Sequence, residues 1–153
     1  MNLIWHDWSV EDLNVYSLHD ILALRNQVFV VEQTCLYLDT DGRDLAAGNR
    51  HIAAYDNGKL AAYARLLAPN SGNQAVTIGR VIVAPHARGQ RLGHQLMEHA
   101  LFACARHWPQ KPLFLAAQAH LQAFYAGFGF MPVSDVYDED GIPHINMLSN
   151  ASS

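Results

Sequence analysis

With 153 residues, half of them hydrophobic, the chain is the size of one compact domain over residues 1–153, with no length left for a second. A net charge of -4 and scattered Lys and Arg residues argue against nucleic acid as a partner, and no window is long and apolar enough for a membrane span. Cys35 and Cys104 are too few for a disulfide framework and lack zinc-site spacing, so two reduced thiols in a cytoplasmic protein are expected.

Ser17 followed by Asp20 resembles a capping pair, and Leu18, Ile21, Leu22, Val28 and Phe29 recur near helical spacing. That predicts a helix from about Leu18 toward Val30. Asp39-Thr40-Asp41-Gly42-Arg43-Asp44 lacks the ligand order of a calcium loop and is expected at the surface, facing a cationic amine. His51–Tyr55 and Leu60–Leu67 flank Asn57-Gly58, a pair suited to a tight turn, which predicts a hairpin. Ala75–Val83 is rich in β-branched residues and should add a third antiparallel strand.

From Leu92, the apolar positions Leu96, Met97, Ala100, Leu101 and Cys104 keep helical spacing, until Trp108-Pro109 disfavours helix. Leu113–Ala117 then reads as a strand returning by a parallel crossover, which makes the sheet mixed. Leu121, Phe124, Tyr125 and Phe128 form a second helical stripe that Gly129 can end. Pro132–Leu148 reads as two strands joined through Asp138-Glu139-Asp140-Gly141, with a frayed polar tail from Ser149. The fold class expected is α+β with a mixed, mostly antiparallel sheet.

Arg88-Gly89-Gln90-Arg91-Leu92-Gly93 joins a strand to a helix. A diphosphate needs several donors at close range, and the unpaired N–H groups of a helix N-terminus supply them, aided by the helix dipole. Gly89 and Gly93 remove side chains that would block the approach, and Arg88 and Arg91 add positive charge. An ordinary strand-to-helix turn with solvated arginines fits the same residues. The Gly-x-x-x-x-Gly-Lys-Ser/Thr loop and the Gly-x-Gly-x-x-Gly turn are both absent, which disfavours an NTPase or dinucleotide-binding domain.

The segment is similar to the phosphate motif Arg/Gln-x-x-Gly/Ala-x-Gly/Ala of the GNAT N-acetyltransferase superfamily, preceded by the apolar run Arg80-Val81-Ile82-Val83-Ala84-Pro85. Arg91 stands where Gly or Ala is usual. Gln118 through Phe130 resembles the family's Asn-x-x-Ala-x-x-Leu/Phe-Tyr-x-x-x-Gly-Phe segment, with Gln118 in place of Asn. Features of the ElaA-like subfamily are Arg25 through Gln33, the acidic loop with Asn49-Arg50-His51, and Asp138 through His144.

The resemblance implies helices on both faces of the sheet and a splay between two central parallel strands that admits the pantetheine arm of acetyl-CoA. By the same resemblance, the arm lies against Val81, Ile82 and Val83, the pyrophosphate lies on Arg88, Gly89, Gln90, Arg91, Leu92, Gly93 and His94, and Gln118 and Tyr125 complete the cofactor site. The Val81 backbone N–H would hold the carbonyl oxygen, and Tyr125 would protonate the leaving thiolate. Glu32, His120 and His51 are the candidates for a base, each equally readable as a structural side chain. With no His-Glu-x-x-His or Cys/His cluster, no metal is expected.

The implied partners are acetyl-CoA and a primary amine on a small molecule or peptide, with room for a homodimer and no role for nucleic acid or membrane. Two alternatives remain open. One is an acyl-CoA sensor without turnover. The other is an acyl-homoserine-lactone synthase-like enzyme, whose family shares the early Arg-x-x-Val-Phe segment.

Overall fold

The computed structural model describes residues 1–150. Strand β1 (Leu3–Ser9) leads into helix α1 (Val15–Arg25), and β2 (Arg50–Asp56), β3 (Lys59–Leu67) and β4 (Val76–Val83) follow. The four strands pair antiparallel in the order β1-β2-β3-β4, with Asn57-Gly58 as the two-residue turn between β2 and β3. Helix α2 (Leu92–His107) then crosses over to β5 (Leu113–Gln118), which lies parallel to β4. The short helix α3 (Gln122–Ala126) precedes β6 (Met131–Pro132), β7 (Tyr137–Glu139) and β8 (Ile142–Ser149). β8 pairs with β5 on one side and with both β6 and β7 on the other.

Several expected boundaries move. β1 was not predicted, because its residues show no polar and apolar alternation: Trp5 stacks on His99 of α2, and on the opposite face Trp8 stacks on His6. The first helix starts at Val15, capped by Asn14, whose Oδ1 accepts from the Tyr16 and Ser17 N–H groups at 2.9 and 2.8 Å. Ser17 thus closes the capping box, accepting from the Asn14 N–H, and is not itself the cap. The helix ends at Arg25, and Asn26–Glu32 continues as a wider π-helical turn. Ser149, expected to begin a frayed tail, is instead the last residue of β8, paired with Leu113, and residues 151–153 lie outside the described range.

Each face of the sheet carries its own core. Leu92, Leu96, Met97 and Ala100 of α2 pack on Ile52, Ala64, Val76 and Ile78, while Ile21, Leu24 and Val28 pack on Ala53, Tyr63 and Ile82. β4 changes sides within its own length. Val76 and Ile78 face α2, as alternation requires, but further on Val81 and Val83 pack toward α2 and Ile82 toward α1. The switch occurs at a bulge, where the pairing jumps from Arg65↔Gly79 to Tyr63↔Ile82 and Arg80 takes a left-handed φ of 51. One extra residue in the strand inverts every side chain after it.

The acidic loop after the π turn runs at the surface from Thr40 to Arg43, as expected, but its ends Asp39 and Asp44 are buried, because three arginines from other elements converge on it. Asp39 Oδ2 accepts from Arg25 Nε and Asp39 Oδ1 from Arg80 Nε, both at 2.9 Å. Asp44 bonds Arg25 and Arg65, and Asp41 takes two bonds from Arg65 at 2.9 Å each. Arg25 is 0% exposed, and Asp39 and Asp44 are 4% exposed each. Burial alone would raise the Asp41 carboxyl, but the Arg65 bonds and the Arg43 N–H outweigh it and hold it at about 2. Its contribution to stability is therefore complete above the ordinary carboxylate range and is lost as pH falls through about 2.

Removing one member of a buried ion network leaves its partner charge uncompensated, at a cost of about 3–5 kcal/mol. Arg25→Ala should lower the unfolding free energy by about that amount in urea titration. The exposed Arg88→Ala should leave the midpoint close to that of the wild type. Equal midpoints for Arg25→Ala and wild type would show that the network adds nothing to stability.

Candidate active site

β4 and β5 pair only at Val76↔Leu113 and Thr77↔Phe114, and beyond that point they part. A cleft of about 550 Å3 opens between them, with Val81, Ile82 and Val83 on one wall and Phe114, Ala116 and Gln118 on the other. A strand edge without a ladder partner must satisfy its amides elsewhere, and an extended ligand can supply the missing strand.

Next to the cleft, under the start of α2, lies a hollow of about 350 Å3 bounded by Val83, Arg88, Gly89, Arg91 and Gly93. The N–H groups of Leu92, Gly93 and His94 occupy the first turn of α2, where helix geometry provides no partner and no side chain caps them. Gly89 takes φ +82, and a Cβ there would meet open space, so glycine is required by the backbone rather than by crowding. At Gly93 neither the backbone nor crowding requires glycine: the backbone is helical, and a Cβ would sit in ordinary van der Waals contact with Val83 and Phe124 at 3.8 and 3.9 Å. Arg91 is left-handed, with φ 57, which costs a residue with a side chain about 1 kcal/mol.

Arg88 is committed within the protein. Its guanidinium forks onto Glu32 at 2.8 and 2.7 Å, and its Nε donates to the Val83 carbonyl at 3.2 Å. The bidentate bond from Arg88 holds the Glu32 carboxyl below its usual range. Tyr125 of α3 lines the cleft, with its ring edge-on to Phe124 and Phe130, and burial pushes its hydroxyl up to about 12. The β7–β8 hairpin adds Glu139, Asp140, Ile142 and His144 to the cleft lining, and Cys35 lies there too.

A family model described as an acetyltransferase (GNAT) domain matches residues 23–150. Protein ElaA of Escherichia coli strain K12 is 53% identical over 143 residues, which cover 94% of each chain. The chain belongs to the GNAT acetyltransferase family. Within it the protein is ElaA-like: the crystal structure of Escherichia coli ElaA superposes with a TM-score of 0.93 at 50% identity, over 97% of this chain and 100% of that one. An acyl-CoA N-acyltransferase from Pseudomonas aeruginosa gives 0.94 at 49% identity, over 97% and 99%. The mixed sheet, its helices on both faces and its splayed parallel pair are the GNAT fold that the sequence motifs led us to expect.

The residues expected in a GNAT site divide by location. Val81, Ile82, Val83, Gln118 and Tyr125 line the cleft, and Arg88, Gly89, Arg91, Leu92, Gly93 and His94 line the hollow. Gln90 lies exposed in the loop beside them. Gln118 Nε2 donates to Gln33 Oε1 at 3.2 Å, linking β5 to the π turn across the cleft.

The three base candidates do not gather in the cleft lining. His51 is 0% exposed; its Nε2 donates to the Asp44 carbonyl at 2.8 Å, so its Nδ1 accepts from the Tyr63 hydroxyl at 2.6 Å. Burial lowers its pKa, and both ring nitrogens are taken up by partners inside the protein. Glu32 is held by Arg88. His120 is exposed, in the turn before α3, and is not among the residues lining the cleft.

The sequence reading passed over His144 as a titratable group in the cleft. The signal was present in the alternation of β8: Ile145 and Met147 are buried in the α2-side core, which sends Ile142, His144 and Asn146 to the opposite face.

The two glycines of the hollow should respond differently to the same substitution. Gly89→Ala should destabilise by about 1 kcal/mol through its positive φ, whereas Gly93→Ala should be neutral or stabilising through helix propensity. Thermal unfolding of both variants checks this. A stable Gly89→Ala together with a destabilised Gly93→Ala would reverse the two roles.

Proposed function

We propose that this protein transfers an acetyl group from acetyl-CoA to a primary amine by direct attack within the β4–β5 cleft. The observation that carries the proposal is the early parting of β4 and β5, which leaves a bare strand edge beside uncapped helix N–H groups. Acetyl-CoA has two parts that suit those two features: an amide-bearing arm and a pyrophosphate. In this reading the arm pairs with Val81 and Val83, and the pyrophosphate rests on the N–H groups of Leu92, Gly93 and His94. Arg91 and Arg88 lie alongside. Family membership and the likeness to an acyl-CoA N-acyltransferase support the same chemistry.

The amine nitrogen attacks the thioester carbon, a C–N bond forms and the carbonyl π pair moves onto oxygen, which the Val81 N–H stabilises. The pair then returns, the C–S bond breaks and sulfur leaves with its electrons. Tyr125 gives that sulfur its proton. With its hydroxyl pushed up to about 12, Tyr125 keeps a proton available at neutral pH. The burial that raises it also disfavours a bare thiolate, so the proton passes as the C–S bond breaks.

Tyr125→Phe tests the mechanism through thiol release from acetyl-CoA with a panel of primary amines. The expected result is a fall in kcat of about 100-fold or more, with the KM for acetyl-CoA little changed. Unaltered kcat would remove Tyr125 from the reaction.

A further inference from the structure

An alkylamine with a pKa near 10.4 is about one part in a thousand unprotonated at neutral pH, a deficit of about 4 kcal/mol, so the proposed reaction needs a proton acceptor in the cleft. We propose that His144 is that base, and that Glu139 beside it binds the charge of a cationic primary amine, an assignment that rests on the acetyl-transfer reading above. His144 is the one histidine lining the β4–β5 cleft among the described residues.

Its tautomer is fixed by a main-chain group. Nδ1 lies 2.7 Å from the Ile142 carbonyl oxygen, which can only accept, so Nδ1 carries the ring proton and the neutral ring keeps its lone pair on Nε2. Glu139 Oε2 lies 3.5 Å from that Nε2. The gap is long for a direct hydrogen bond, so Nε2 is not committed to Glu139, and a modest turn of the exposed Glu139 side chain makes room for an ammonium that donates to both groups. Cross-strand pairing sets this arrangement: Tyr137 is opposite His144 and Glu139 opposite Ile142, so all four share one face of the hairpin. Tyr137 lies alongside the imidazole, with its hydroxyl anchored on Asn146.

The hairpin also favours a cation over other acceptors. Asp140 joins Glu139 in the cleft lining. The Cys35 thiol is pushed up by burial and then by Asp140 and Glu139, so the field of those carboxylates reaches into the cleft.

The proton balance closes as follows. The ammonium R–NH3+ gives one proton to His144 Nε2 and becomes R–NH2, whose lone pair forms the C–N bond. Sulfur leaves with the C–S pair and takes the Tyr125 proton. The second proton shed by nitrogen restores the Tyr125 hydroxyl, and His144 releases its own to solvent past the exposed Glu139. The sum is R–NH3+ plus acetyl-CoA giving R–NH–acetyl, CoA–SH and H+.

The test follows thiol release from acetyl-CoA with benzylamine, lysine and spermidine for wild type, His144→Gln, His144→Ala and Glu139→Gln. With the amine the wild type uses best, both His144 variants should lose kcat by about 100-fold or more while the KM for acetyl-CoA stays within about threefold. Added imidazole should restore turnover to His144→Ala. Glu139→Gln should raise the KM for the amine about tenfold with kcat little changed. If His144→Ala does not fold, the split between kcat and KM in His144→Gln decides.

An active wild type whose His144 variants keep kcat would overturn the base assignment alone. Loss of turnover in a folded His144→Ala without imidazole rescue would reduce His144 to a structural part and overturn the assignment as well. A wild type that releases no thiol with any of the three amines would overturn the acetyl-transfer reading, and the assignment with it.

Discussion

Asp39 is held between two arginines that come from different elements of the fold, Arg25 at the end of α1 and Arg80 in the middle of β4. A buried carboxylate persists only when paired, and each of its oxygens meets one guanidinium. Through that residue the acidic loop, the first helix and the bulge of β4 become one unit. Arg80 adopts a left-handed conformation that costs about 1–2 kcal/mol in a residue with a side chain, and its bonds to Asp39 and Asp41 offset that cost. β4 stops pairing with β5 two residues before Gly79, where the bulge begins. The opening between the strands thus stands beside the bulge that these ion pairs tie down.

Charges of both signs line the opening, with Arg65 and Arg80 in the cleft as well. Arg88 and Arg91 border the hollow at the start of α2, and Glu139 and Asp140 belong to the hairpin lining of the cleft. In the proposed reaction an anionic donor and a cationic acceptor would each find opposite charge, with Val81 and Tyr125 also in the cleft lining. The Arg88–Glu32 fork stands at the border of the two, since Arg88 lines both cleft and hollow. Because both side chains are more than 40% exposed, the pair is screened by solvent and opens at little cost. A phosphate can then compete for Arg88, which also releases the Val83 carbonyl that the arginine now covers.

Much of this was legible in the sequence because it depends on local chemistry. The Asn57-Gly58 turn, the apolar stripe of α2 and the order of strands around the Gly89–Gly93 loop all follow from short-range rules. The glycine loop alone was ambiguous, and the Tyr125 segment with the strand order around it gave it meaning. What was hidden depends on residues far apart in the chain. The arginines that pair with Asp39, Asp41 and Asp44 are 14 to 41 positions away, so the burial of Asp39 and Asp44 within a stretch read as surface left no local sign. His51 looked like a free base for the same reason: its partners Asp44 and Tyr63 are visible only in three dimensions. The left-handed Arg80 and Arg91 are residues whose type does not announce positive φ, and the bulge that flips β4 therefore leaves no local trace.

The central claim is that one ligand spans the β4–β5 opening and the start of α2 together. Amide NMR of the protein titrated with coenzyme A tests it most directly. The N–H signals of Leu92, Gly93 and His94 should shift together with those of Val81 and Val83 at a single midpoint, while those of β1 stay in place. Shifts confined to another surface, or two groups of signals with separate midpoints, would contradict the account.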